Sequence, residues 1–169
     1  MIEYNSIRPG GRNPRYAGKI IKRVEYVIDY INLNDIPDDY SGNVKNHMMI
    51  LEDYDKNPNK YAEHDTYDYC EQAYEIKVDI RRGRKEGKLF HPLAEKYSII
   101  QLITAYKSMK KWGYMGGPHK GHLIEAGEME DGKTYCFASH RMAVLKHLLK
   151  IGHPRATERI MVLKEVIYE

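Results

Sequence analysis

The sequence predicts an α+β fold, with an N-terminal helical layer followed by a β-β-α-β unit that forms a small, mainly antiparallel sheet. Three observations carry this. Apolar residues recur at helical spacing in three segments before residue 113, and a glycine cluster then changes the composition. Beyond it, two short alternating runs are joined by Asp131-Gly132, a tight-turn pair, and are followed by a helix and an apolar terminal run.

Asn13 suits an N-cap and Pro14 the first helical turn. Ile20, Val24, Val27, Ile28 and Ile31 then repeat at i, i+4, i+7, i+8 and i+11, which predicts one long amphipathic helix ending before Asp35-Ile36-Pro37. Ser41 or Asn43 starts a shorter helix to about Asp55 that buries Val44, Met48 and Leu51. Another runs from Pro92 to about Trp112, with Leu93, Tyr97, Ile100 and Ile103 or Thr104 inward and then Tyr106 or Lys107. Leu123 to Met129 and Thr134 to Ala138 read as strands. Ser139 caps a helix to about Ile151 that buries Val144, Leu145, Leu148 and Leu149, and Ile160 to Tyr168 is a final strand.

Residues 59–87 fit two patterns. Ala62, Thr66, Tyr69, Ala73, Ile76 and Ile80 fall on one helical face, yet Tyr74, Ile76, Val78 and Ile80 also alternate as in a strand. The helical reading is preferred because no turn signal separates Tyr61 from Ile80.

A chain of 169 residues, 42% hydrophobic and 30% charged, is expected to form one domain. It divides into a basic arm or loop (1–15), a mainly helical part (16–113) and the β-β-α-β part (114–169). No apolar run approaches the roughly eighteen residues of a membrane span. Cys70 and Cys136 form no CxxC pair, so a reducing cytoplasm is the expected setting. Residues 34–79 carry twelve acids against four Lys or Arg, and the flanking segments are net basic. That basic surplus, with fifteen tyrosines, favours anionic partners: nucleic acid, a nucleotide or an acidic protein.

The candidate binding residues follow from clustering. Arg81, Arg82 and Lys85 belong to one basic run, while Lys107, Lys110, Lys111 and Trp112 interleave cations with Tyr106 and Tyr114 at a helix end. Such a helix end is also simply favourable for lysines, because the carbonyl dipoles point there. A protein whose acidic 34–79 face blocks or mimics a partner is a further possibility.

Three catalytic constellations are legible. Asp65 or Asp68 with Glu75-Ile76-Lys77 resembles the site of PD-(D/E)xK nucleases, although no proline precedes the aspartate. That resemblance implies Mg²⁺ or Mn²⁺ held between Asp65 and Glu75, with Lys77 beside the phosphate and Glu25 as an extra carboxylate. His119-Lys120-Gly121-His122 resembles the HxGH signature of nucleotidyltransferases and class I aminoacyl-tRNA synthetases, without their downstream KMSKS partner. It implies phosphate-stabilising roles for His119 and His122. Finally, His140 and His147 share a helical face and could meet His122 and Cys136 in a zinc site, with His140 alone a candidate for acid–base work. No resemblance covers the whole chain.

Overall fold

A computed structural model of the chain describes residues 1–4, 13–65, 93–116 and 123–169. In order, its longer elements are β1 (Ile2–Glu3), β2 (Ile20–Ile21), β3 (Arg23–Asn32), α1 (Gly42–Lys56), α2 (Ala94–Trp112), β4 (Ile124–Glu128), β5 (Thr134–Cys136), α3 (Ser139–Lys150) and β6 (Arg159–Tyr168). The α+β class is as expected. The order of its parts is not, because a ten-residue strand precedes the helices.

That strand is the main correction. The predicted helix from Asn13 to Ile31 is instead a short 3-10 turn (Pro14–Tyr16), then β2 and β3. The sequence Arg-Val-Glu-Tyr-Val-Ile-Asp-Tyr-Ile of β3 is rich in β-branched and aromatic residues, which pack well on a pleated surface. Its pairing with β6 is antiparallel and unbroken from Arg23–Tyr168 to Asn32–Arg159. The helical match of Val24, Val27, Ile28 and Ile31 was coincidental. Val27 and Ile31 lie on one face of the strand, Val24 and Ile28 on the other.

The four-stranded sheet has the order β3-β6-β4-β5, with β6 parallel to β4 and β4 antiparallel to β5. The terminal run therefore sits inside the sheet, as its apolar content requires. The β4–β5 hairpin closes where expected. Gly132 adopts φ +76°, the Asp131 carboxylate accepts from the Lys133 N–H at 2.9 Å, and Met129 N–H donates to the Lys133 carbonyl.

Among the described residues the three helices fall where the sequence placed them, and the helix preferred for 59–87 lies largely outside those residues. In α1, Val44, Met48 and Leu51 are buried, together with Tyr54. In α2, Ile100, Leu102, Ile103, Tyr106 and Met109 are buried, whereas Leu93 lies outside the helix and exposed. Gly113, at φ +77°, ends α2 by donating its N–H to the Met109 carbonyl at 2.8 Å. Ser139 is the first residue of α3 rather than its cap, and Ala138 takes that place.

One core joins these layers. Ile31, Ile124, Ala126, Ile160 and Val162 pack from the sheet against Leu51, Leu102, Leu145 and Leu148 from the helices. The other sheet face is covered at one end by Tyr4, Tyr16 and Ile21, which pack with Val24 and Ile167. There the buried Glu165 accepts from the Tyr4 and Tyr26 hydroxyls. Toward the opposite end this face opens, and Ile28 and Tyr30 are exposed. No described helix is long and apolar enough to cross a membrane.

Candidate functional site

The end of the sheet where β6 begins and β3 finishes also receives the C-terminus of α2. The Tyr114 hydroxyl, just past α2, ties it to β6 and β4. It donates to the Met161 carbonyl at 2.7 Å and accepts from the Ile124 N–H at 3.0 Å. The 151–158 connection closes the same end, and a Cβ placed on Gly113 would lie 4.0 Å from the Arg155 side chain.

Cations and rings gather here. Lys111 Nζ lies 4.9 Å from the centre of the Trp112 ring, and the Arg159 guanidinium carbon 4.4 Å from that of Tyr30. Trp112 is 42% exposed and Tyr30 48%. Lys111, Arg155 and Arg159 are exposed, and Lys110 rests over the buried Tyr106 ring at 4.2 Å. None of these four cations forms an ion pair with a carboxylate among the described residues; the same holds for Lys19, Lys22, Lys45 and Lys133, which are spread over other elements, whereas Arg15, Lys56, Lys60, Lys107 and Lys146 are paired. The geometry is one of positive charge outside any ion pair beside accessible π-faces, with Lys110 near enough to Asp65 to act on it.

Lys107, one turn back on α2, is different. Its ammonium bonds the Asp65 carboxylate, which also accepts from the Tyr54 hydroxyl at 2.9 Å. Burial raises the Asp65 pKa, but the hydrogen bonds from Lys107 and Tyr54 outweigh it and hold the carboxyl below its ordinary range. Asp65 is thus engaged by a cation and a hydroxyl from its own fold. Glu25, predicted on a helix, lies on β3, where it accepts from the Tyr168 hydroxyl at 3.1 Å and pairs with Arg23. Asp68, Glu75, Lys77, Arg81, Arg82 and Lys85 lie outside the described residues, as do His119 and His122.

His140 and His147 do share one face of α3, and both are turned to α1 and α2. His147 is buried and meets Asp55 at 2.8 Å, and the Tyr106 hydroxyl donates to the same carboxylate at 2.8 and 2.9 Å. Burial and the Asp55 contact push the Tyr106 hydroxyl well above its usual pKa.

His140 takes part in a second cluster, 2.8 Å from Ser98 Oγ and stacked on His47 at 4.4 Å between ring centres. His47 Nε2 is 3.3 Å from the same hydroxyl. One hydroxyl carries one proton, so Ser98 can donate to only one of the two rings. Burial and the neighbouring His47 push His140 down to about 4, and burial lowers His47 as well. Cys136 is buried in the core, which raises its thiol to about 12. Among the described residues no group of three His, Cys, Asp or Glu could hold a metal ion.

The interleaving in the sequence had named Lys110, Lys111 and Trp112 as candidates. It missed Tyr30, Arg155 and Arg159, which join them only through the β3–β6 pairing and the turn before β6. The alternation of Val24, Tyr26, Ile28 and Tyr30 was the signal that could have placed Tyr30 on an open sheet face. Comparison of the chain with family models, with curated proteins and with solved structures finds no match.

Proposed function

We propose that this chain is a binding protein for an anionic partner, a nucleic acid, a nucleotide or an acidic protein, which docks on the end formed by Lys110, Lys111, Trp112, Arg155, Arg159 and Tyr30. One observation carries this reading: Lys110, Lys111, Arg155 and Arg159, none of them in an ion pair among the described residues, gather at one end of the fold with two exposed rings. Uncompensated charge attracts a polyanion by Coulomb force and by release of its counterions, so affinity falls as salt rises.

The test is fluorescence anisotropy with labelled heparin and a labelled oligonucleotide, from 25 to 300 mM salt. Binding should weaken steeply across that range and disappear when Lys110, Lys111, Arg155 and Arg159 are changed together to alanine, with the circular dichroism spectrum kept. Absence of binding at low salt, or a flat salt response, sinks the reading. Cleavage of the oligonucleotide in Mg²⁺ that EDTA abolishes would replace it with the nuclease built on Asp65, Glu75 and Lys77.

A further inference from the structure

Charge alone does not account for the two rings. An acidic peptide or a base-free polyanion is satisfied by cations and makes no use of a π-face. At this end two exposed rings each have a cation over them, Lys111 at Trp112 and Arg159 at Tyr30, whereas the opposite end of β3 and β6 carries a single such pair, Arg23 at Tyr168. The two pairs come from unrelated elements, the last turn of α2 and the paired ends of β3 and β6, with Arg155 beside the first.

From this repeated pairing we infer that the partner is a single-stranded nucleic acid, its bases stacked on Trp112 and Tyr30 and its phosphates held by Lys111, Arg155 and Arg159. The inference rests on the proposed anion-binding role. A ring with a cation at hand matches a nucleotide unit, which presents a π-face and a phosphate a few ångströms apart. The guanidinium plane of Arg159 is itself a surface on which a base stacks. Duplex bases are already stacked on one another and leave their faces unavailable, so only an unpaired strand uses the rings. Tyr30 is on the sheet face that points away from the helices, because its neighbour Ile31 points into the core. A flexible strand can pass from the helix end to that face.

Trp112 is the sole tryptophan, so intrinsic emission reports on this place alone. The experiment titrates the full chain with a single-stranded oligonucleotide of about 15 nucleotides, as DNA and as RNA. The comparison probes are the matching duplex, heparin, polyglutamate and a mononucleotide. The single strand should quench Trp112 emission and bind more tightly than the duplex. By anisotropy, Tyr30→Leu and Trp112→Leu should each weaken single-strand binding by roughly tenfold while heparin affinity stays unchanged. Both rings are exposed, and circular dichroism checks that the variants remain folded. Equal, salt-sensitive binding of heparin, duplex and single strand, without quenching and unaffected by Tyr30→Leu, overturns the stacking but leaves the anion-binding surface standing. Tighter binding of polyglutamate or of the mononucleotide overturns the single-strand assignment in favour of that partner. If no probe binds, both readings fall.

Discussion

Arg159 covers the ring of Tyr30 across the first rungs of the β3–β6 pair, with 4.4 Å between guanidinium carbon and ring centre. Residues 129 positions apart are thus joined by a strand pairing into one unit of the basic end. Its counterpart, Lys111 on Trp112, is local to a single helix turn. The surface is assembled from one short-range and one long-range pair, and its cations differ in how free they are.

That difference separates neighbours on α2. Lys107 is paired with Asp65, whose carboxylate Lys110 also stabilises from beyond ion-pair range, and Lys111 has no carboxylate partner among the described residues. Lys107→Ala should leave affinity for a polyanion within about twofold, whereas Lys110→Ala with Lys111→Ala should lower it by tenfold or more and reduce the salt slope by about 1.5. Anisotropy titrations at three salt concentrations measure both quantities.

The Ser98 cluster predicts acid sensitivity. His140 has a folded value of about 4, against an ordinary imidazole value of about 6.5. The unfolded chain therefore takes up a proton that the folded chain refuses. Its contribution to stability is present above about pH 6.5 and is lost as pH falls toward 4, by about 3 kcal/mol. Asp53, held near 2 by Lys60, Tyr61 and Asn57, adds its own loss only below about pH 4. Urea unfolding between pH 4.5 and 7 should show the loss in the native chain and a flatter profile in His140→Gln.

Lys146 is only 6% exposed, yet it is fully used. Its ammonium donates to the Leu33 carbonyl at 3.1 Å, to the Ile36 carbonyl and to the Asp38 carboxylate at 2.9 Å, which clamps α3 to the turn after β3. Lys146→Met should destabilise the fold by about 2–4 kcal/mol, since buried carbonyls lose their donor. The guanidinium chloride midpoint reads this directly.

Asp55 serves two buried partners, the Tyr106 hydroxyl and His147. Asp55→Ala strands both and should cost about 2–3 kcal/mol, but Tyr106→Phe should cost about 1, because a partly exposed carboxylate can turn to water. The double variant should cost less than the sum. Thermal unfolding of the three variants checks the cycle.

Short-range signals made much of this legible. Val44, Met48 and Leu51 marked α1, the glycines after Trp112 ended α2, and Asp131-Gly132 set the hairpin. The strand β3 was not legible in the same way. It lies at the edge of the described sheet and exposes Val27 on one face and Ile28 on the other, so its apolar residues do not keep to one side. What decides its conformation is β6, more than a hundred residues away. The same distance hid Tyr30 and Arg159 from the basic surface, and the Asp65–Lys107 bond could not be read from two residues on separate elements.

The most direct test of the basic, ring-bearing end is an amide correlation spectrum followed during titration with a single-stranded oligonucleotide. The largest shifts should fall on Tyr30, on Lys110 to Gly113 and on Arg155 to Arg159. Shifts concentrated on the acidic turn of α1 around Glu52 and Asp53, with those residues unmoved, would contradict the account.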